Sequence, residues 1–170
     1  MTTDMLDALD MLDMLDIDDI DNNIDEDLKP LIGNGEPRRI LTYGTFDTFH
    51  WGHINLLRRA KALTRGGALI VALSTDEFNA IKGKKAYHDF ATRKRMLAAI
   101  KYVDAVIPEN TWEQKINDVQ TNKIDCVIMG DDWQNDPHFE LIRDYCDVIY
   151  LPRTINVSSA QIKEALESGH

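Results

Sequence analysis

Five short apolar runs, rich in β-branched residues, alternate with longer helical stretches from residue 38 to the end of the chain. The runs are RILTYGT (39–45), ALIVALS (68–74), DAVIPE (104–109), IDCVIMG (124–130) and DVIYLP (147–152). Continuous apolar runs of this length are typical of strands buried on both faces of a sheet. Strands that alternate with helices pair in parallel, because each helix crosses over one face of the sheet. The pattern therefore predicts a single doubly wound, Rossmann-like α/β domain with about five parallel strands.

The helical stretches between the runs have recognisable starts. They are WGHINLLRRAKAL (51–63), DFATRKRMLAAIKY (89–102), TWEQKINDVQTN (111–122), PHFELIRDY (137–145) and SSAQIKEALES (158–168). Thr111 with Gln114, and Ser158 with Gln161, have the spacing of a capping box, which predicts a helix start at each pair.

Unusual polar residues follow four of the five predicted strands. They are Thr45, Asp47, His50 and His53 after the first strand; Ser74, Thr75 and Asp76 after the second; Gly130, Asp131, Asp132 and Trp133 after the fourth; and Arg153, Thr154, Ser158 and Ser159 after the fifth. Carboxyl ends of parallel strands share one edge of the sheet, where ligands of such folds bind. Ordinary turns need Gly, Asn, Asp and Pro rather than two His, an Arg and paired hydroxyls. The pattern predicts a binding site at this edge.

The chemistry of these residues favours an anionic ligand. His50 and His53 lie three residues apart around Gly52 at a predicted helix start, where free backbone N–H groups and the positive end of the helix favour anionic oxygen. Ser158 and Ser159 lie at a second predicted helix start with the same properties, and Arg153, just after the preceding strand, adds a cation. Two His are too few for a metal site, and no third His or Cys is near in sequence. Phosphate is therefore the predicted ligand.

The net charge of −10 lies in the first 29 residues, which contain eleven Asp and Glu and one Lys. Asp recurs every third residue from 4 to 19, a period that gives no continuous apolar stripe on a helix. We predict that residues 1–37 form an acidic, disordered or loosely helical tail and linker, with docking on a partner or a second subunit as the alternative. Residues 38–170 form the folded domain.

The folded domain is neutral overall, so an anionic substrate is compatible with its charge. The sequence contains no apolar run long enough to cross a bilayer and no basic-then-apolar leader, which predicts a cytoplasmic protein without membrane insertion. Cys126 and Cys146 lie in strand-like runs and are predicted to be reduced.

HWGH (50–53) resembles the HxGH signature of the nucleotidyltransferase superfamily, and RTINVSS (153–159) resembles its closing R-T-x-G-I-S-T segment. The segments TYGTFD, ALSTDEFN, KGKKAYH, YVDAVIPE, WEQKI, VIMGDDW and VIYLPRT narrow the resemblance to the glycerol-3-phosphate cytidylyltransferase family, over about residues 39–167. The resemblance implies cytidylyl transfer from CTP to sn-glycerol 3-phosphate, giving CDP-glycerol and pyrophosphate for teichoic-acid-type polymer synthesis. It also implies a homodimer, Mg²⁺ that arrives with CTP, and no nucleic-acid partner.

The resemblance also implies residue roles. Catalysis is assigned to His50, His53, Lys84 and Arg153. The expected CTP-binding residues are Thr45, Phe46, His50, Trp51, Gly52, His53, Lys84, Asp132, Arg153, Thr154, Ser158 and Ser159. Lys82 and Lys115 are expected to bind the glycerol phosphate, with a solvated surface position as the alternative. Asp47 is expected to orient a His, a Lys or a Mg²⁺-bound water.

Other functions stay open at this stage. The same scaffold could use ATP or another phospho-alcohol, as ribitol 5-phosphate cytidylyltransferases and FMN adenylyltransferases do. A non-catalytic nucleotide-binding scaffold that acts through its acidic tail is a further alternative. The chain has Asn156 and Ser159 where the family segment has Gly and Thr; Asn tolerates the backbone conformation of Gly, and Ser keeps the hydroxyl. Ile155 replaces a polar residue near that loop, with an effect that the sequence does not define.

Overall fold

The computed structural model describes residues 25–154 and 157–169. Five parallel strands form one sheet: β1 (Arg39–Gly44), β2 (Ala68–Ser74), β3 (Ala105–Glu109), β4 (Cys126–Gly130) and β5 (Asp147–Leu151). Their spatial order is β3-β2-β1-β4-β5. The predicted doubly wound α/β fold is confirmed, and the order reverses between β1 and β4, the position at which such sheets bind ligands.

One helix precedes the first strand, one follows the last, and the others lie between strands. The helices are α1 (Lys29–Ile32), α2 (Trp51–Leu63), α3 (Asp76–Ile81), α4 (Phe90–Ala98), α5 (Lys115–Thr121), α6 (Pro137–Glu140) and α7 (Ser159–Glu167). Two short 3₁₀ helices span Asp131–Trp133 and Leu141–Asp144. Over the described part of the chain, every helix is too short or too polar to cross a bilayer.

Alternate residues of the strands enter two apolar cores, one on each face of the sheet. Ile40 and Leu69 pack in the core that also contains Leu57 of α2. Leu41 and Ile70 point to the opposite face and pack with Phe139 of α6. The side chains of successive strand residues point to opposite faces, so burial on both faces explains why the strands read as continuous apolar runs.

Three predicted helix boundaries were wrong. Helix α5 begins at Lys115 rather than directly after Thr111. Gln114 accepts from the N–H of Thr111 at 3.1 Å, as in a capping box, and also from the N–H of Asn110 at 2.6 Å. The stretch 137–145 is divided into α6 and a 3₁₀ helix, and α4 ends at Ala98 rather than at residue 102. The predicted cap at Ser158 is confirmed: its Oγ accepts from the N–H of Gln161 at 3.1 Å.

Two helices were not predicted. Helix α3 follows Thr75, whose Oγ1 accepts from the N–H of Phe78 at 3.2 Å and caps the helix. Helix α1 falls in the stretch that the sequence indicated as a linker, and Leu28 just before it is fully buried in the core beside α2. Residues 1–24 of the predicted tail and linker (1–37) lie outside the described residues, so their conformation stays a prediction.

Candidate active site

A cavity of about 710 Å³ opens at the carboxyl ends of the strands. It is lined by seven Lys or Arg side chains and by three Asp or Glu side chains, an excess of positive charge that favours anionic ligands. Of the residues to which the sequence assigned catalysis or ligand binding, the cavity brings together all except Trp51, whose side chain is half exposed. Those it contains are Thr45, Phe46, Asp47, His50, Gly52, His53, Lys82, Lys84, Lys115, Asp132, Arg153, Thr154, Ser158 and Ser159. Ser74, Thr75, Asp76 and Asp131, which were also predicted at this edge, do not line it.

The two histidines are fixed against the start of α2. The Nδ1 atom of His50 accepts from the N–H of Gly52 at 3.0 Å, and Nδ1 of His53 accepts from the N–H of His50 at 3.3 Å. Their rings stack with centroids 3.8 Å apart. An imidazole that accepts at Nδ1 carries its proton on Nε2 when it is neutral, so each ring retains an N–H donor for a ligand.

The glycine of the HxGH motif is required by this packing. A Cβ atom on Gly52 would lie 2.8 Å from Cε1 of His50 and 3.1 Å from a methyl group of Val157. Any side chain at this position would displace the His50 ring. Phe46 has a positive φ of 49° and packs on His53 at 5.2 Å between ring centroids. Backbone strain of this kind is frequent in ligand-binding loops.

Burial makes both histidines weak bases in the absence of a ligand. Burial, with a smaller contribution from the neighbouring His50, lowers the pKa of His53 to about 3. Burial also lowers the pKa of His50, with a second contribution from the Arg153 guanidinium. A phosphate beside the rings would oppose both effects, because a nearby negative charge favours imidazolium.

Asp47 connects the cavity wall to two other segments. Its carboxylate accepts from the N–H of Tyr87 at 2.6 Å and of His88 at 3.0 Å, and it pairs with Lys163 of α7 at 2.8 Å. Burial alone would raise the pKa of Asp47, but Lys163 and the two N–H donors outweigh it and lower the pKa. Of the roles considered from the sequence, orienting a lysine agrees with this geometry, and the lysine is Lys163.

The opposite wall follows β5. The Oγ1 atom of Thr154 accepts from Nδ2 of Asn55 on α2 at 3.0 Å, which fixes the two walls relative to each other. Ser159 donates its Oγ proton to the carbonyl of Asp47 at 2.7 Å. Arg153 is more than half exposed and lies 4.0 Å from Asp132, so its guanidinium is accessible to a ligand. Ile155 and Asn156 lie outside the described residues.

A third part of the cavity contains the two lysines that the resemblance assigns to the acceptor. Lys115 is buried rather than solvated, with its Nζ 3.4 Å from Oε2 of Glu109. Lys82 lies 3.9 Å from Oε1 of the same carboxylate. Glu109, Trp112 and Tyr43 were not predicted as site residues, although Glu109 lies at the end of β3, on the edge where the other strands carry polar residues.

Arg93 is a buried cation that sequence reasoning also missed as a site residue. Its guanidinium donates to the carbonyls of Thr45 at 3.0 Å, Ser74 at 2.7 Å and His88 at 3.0 Å, and it pairs with Asp76 at 2.7 Å. These contacts join the ends of β1 and β2 to the loop before α4. Arg93 therefore supports the cavity wall from behind.

Comparison with known proteins identifies the class. A family model described as cytidylyltransferase-like matches residues 41–167. The chain is 54% identical over 129 residues, 76% of its length, to a protein of Bacillus subtilis strain 168 named glycerol-3-phosphate cytidylyltransferase, covering 97% of that protein. It is 53% identical to the Staphylococcus aureus protein of the same name, covering 76% of this chain and 95% of that protein.

A solved structure also matches. The lipopolysaccharide core biosynthesis protein from Thermoplasma volcanium has a TM-score of 0.61 and 25% identity, covering 70% of this chain and 99% of that chain. The fold, and the cation-rich cavity where the strand order reverses between β1 and β4, are those of a nucleotide-binding α/β protein. The chain belongs to the cytidylyltransferase-like family.

Proposed function

We propose that this protein transfers a cytidylyl group from CTP to sn-glycerol 3-phosphate, giving CDP-glycerol and pyrophosphate. The observation that carries the proposal is the cavity itself, in which the histidine wall, the Arg153 wall and the Lys82–Lys115 pair converge at the switch point of the sheet. Support comes from the two relatives named above, which match this chain over nearly their full length and carry that name.

The chemistry requires positioning and charge stabilisation more than a strong base. A phosphate monoester is an anionic nucleophile at neutral pH, and its oxygen attacks the α-phosphorus of CTP. The bond between the α-phosphorus and its bridging oxygen breaks, and pyrophosphate leaves with the electron pair. Negative charge grows on the α-phosphoryl oxygens and the leaving group, so cations and N–H donors aimed at these atoms lower the barrier.

Each wall has a part in this proposal. His50 and His53 donate from Nε2 to the phosphates of CTP, and Lys84 adds a positive charge. Arg153 binds the leaving β- and γ-phosphates together with Thr154, Ser158 and Ser159. Lys82 and Lys115 bind the acceptor phosphate.

Magnesium fits this scheme as a partner of the nucleotide. Within the described part of the chain, no three His, Cys, Asp or Glu side chains gather closely enough to hold a metal ion, and Asp47 is occupied by protein donors. We therefore propose that Mg²⁺ is held mainly by the triphosphate, where it supplies charge neutralisation.

The test is pyrophosphate release measured with each of the four nucleoside triphosphates against glycerol 3-phosphate, ribitol 5-phosphate, FMN and phosphopantetheine. Turnover restricted to CTP with glycerol 3-phosphate is the expected result. Turnover with ATP alone would contradict the proposal, and turnover with CTP and ribitol 5-phosphate would correct the acceptor. Binding of CTP without turnover on any acceptor would favour a scaffold.

A further inference from the structure

Glu109 lies between two cations at the end of β3. Its Oε1 is 3.9 Å from Nζ of Lys82, and its Oε2 is 3.4 Å from Nζ of Lys115. All three side chains are nearly removed from solvent: the exposed fractions are 4% for Glu109, 11% for Lys82 and 1% for Lys115. One carboxylate thus lies between two ammonium groups. Burial raises the pKa of Glu109, and the two lysines oppose that effect. With Glu109 ionised, the three side chains carry one net positive charge.

Aromatic rings form the rest of this enclosure. Nζ of Lys115 lies 4.4 Å from the ring centroid of Tyr43, 4.9 Å from Trp112 and 5.1 Å from Phe139. Nζ of Lys82 lies 4.5 Å from the ring of Phe78. Ring faces attract cations, but they do not replace a hydrogen-bonding anion for two buried ammonium groups.

Other charged groups face the lysines from each neighbouring element. Lys84 and Arg93 act on Lys82 with the same sign of charge, from the loop before α4 and from α4. Asp118 of α5 and Asp136 before α6 act on Lys115 with the opposite sign. The Asp118 carboxylate also accepts from the hydroxyl of Tyr43 at 3.0 Å and from Nε2 of Gln114 at 2.9 Å. Among the described residues, Glu109 is the acidic side chain that lies within 4 Å of both lysine ammonium groups.

Burial lowers the pKa of Lys82 to about 8, and Glu109 is the largest influence in the opposite direction. The pKa of Lys115 is also lowered by burial, again opposed by Glu109. Without the carboxylate, burial and repulsion by the other ammonium group would still lower the pKa of each lysine, and the charge of Glu109 would no longer oppose them. The pKa of Lys82 would then fall further, toward neutral pH.

We propose that Glu109 is a positioning residue for the acceptor phosphate: its carboxylate holds the ammonium groups of Lys82 and Lys115 apart and charged before a phosphate monoester binds. The proposal rests on the proposed function, in which these lysines bind that phosphate. The alternative is that this carboxylate, which lies beside a phosphate site, only repels the ligand.

The proposal and the alternative predict different effects of pH on the KM of Glu109→Gln for glycerol 3-phosphate. At about pH 6.5 Lys82 is mainly protonated in both proteins, so the KM for glycerol 3-phosphate changes by less than about threefold. At about pH 8.5 the variant loses a proton that the unaltered protein partly keeps, and its KM for glycerol 3-phosphate rises about tenfold or more relative to that protein. The KM for CTP, which binds the other walls, changes by less than about twofold at both pH values.

The experiment measures steady-state kinetics at both pH values, together with NMR titration of the lysine side chains in ¹³C-labelled protein. The titration midpoint of Lys82 is expected to fall from about 8 in the unaltered protein to a lower pH in Glu109→Gln. Glu113→Gln is the matched control, because it removes the same charge at an exposed position four residues away. Its KM values and its lysine titration should equal those of the unaltered protein.

Two results would overturn the proposal. One is an equal change of the acceptor KM at both pH values, which would indicate a structural role only. The other is a lower acceptor KM at both pH values, which would indicate simple repulsion. A failure of the proposed function is a different result: the unaltered protein would show no turnover with CTP and glycerol 3-phosphate, while the Lys82 titration would still report whether Glu109 sustains its charge.

Discussion

Leu28 provides a sharp test of whether the end of the acidic segment is part of the folded domain. Its side chain is fully buried among the core residues on the α2 face of the sheet. Truncation of such a leucine to alanine costs about 2–5 kcal/mol, from lost transfer free energy and the cavity left behind. The backbone contacts of Leu28, whose carbonyl accepts from the N–H groups of Leu31 and Ile32 at 2.9 Å, are unaffected. We expect Leu28→Ala to lose about 3 kcal/mol in urea unfolding and roughly 6–12 °C in Tm.

The matched control is Leu31→Ala, at a nearby leucine of α1 that is 38% exposed. It should lose less than about 1 kcal/mol. Equal losses in the two variants would refute the reasoning, because they would show that Leu28 does not pack in the core in solution. Deletion of residues 1–24 should leave the unfolding free energy unchanged, whereas deletion of residues 1–28 should lower it at least as much as Leu28→Ala. The longer deletion also removes the ion pairs of Asp25 and Asp27 with Arg58 and Arg59.

Three further predictions concern the cavity. Gly52→Ala should lower kcat about tenfold or more, because the added Cβ displaces the His50 ring. Its Tm should change little, because alanine is about 1 kcal/mol more favourable than glycine in a helix. An unchanged kcat would contradict this packing. Arg93→Lys should lower the unfolding free energy by about 2–4 kcal/mol, because a fully buried cation loses several hydrogen bonds. Arg95→Lys, exposed on the same helix, is the control, and equal effects would count against the role of Arg93. Folding lowers the pKa of His53, so in this pH range the unfolded chain binds a proton that the folded protein does not. The free energy of unfolding in urea should therefore fall as the pH drops from about 6.5 toward about 3. His53→Asn should lose part of this acid sensitivity, and an identical pH dependence in both proteins would contradict the assignment.

The fold was largely predictable because periodicity and burial agree along most of the chain. Helix α2 begins at Trp51 and ends at Leu63, the bounds predicted from the sequence. The start of α5 was predicted too early. Gln114 accepts from the N–H of Thr111, as the capping-box spacing predicted, but residues 112–114 form a turn and the helix starts only at Lys115. Leu28 was missed because it is one apolar residue in an acidic, repetitive stretch, and only the surface it meets makes it a core residue.

The site was predictable to the extent that its residues follow strand ends. The histidines, Arg153 and Thr154 were found in this way, and the structure places them in one cavity. Residues that hold others in place, such as Arg93 and Glu109, carry no motif of their own. Their importance depends on burial and on partners that are distant in sequence.

The central claim is that the histidine pair and the surrounding cations transfer a cytidylyl group. The most direct measurement is ³¹P NMR of a reaction containing CTP, glycerol 3-phosphate and Mg²⁺, with the unaltered protein and with His53→Ala, after confirming that both are folded. The account predicts that the unaltered protein forms CDP-glycerol and pyrophosphate in equal amounts. It predicts that His53→Ala forms them at least about 100-fold more slowly. Equal rates in the two proteins, or consumption of CTP without CDP-glycerol, would contradict it.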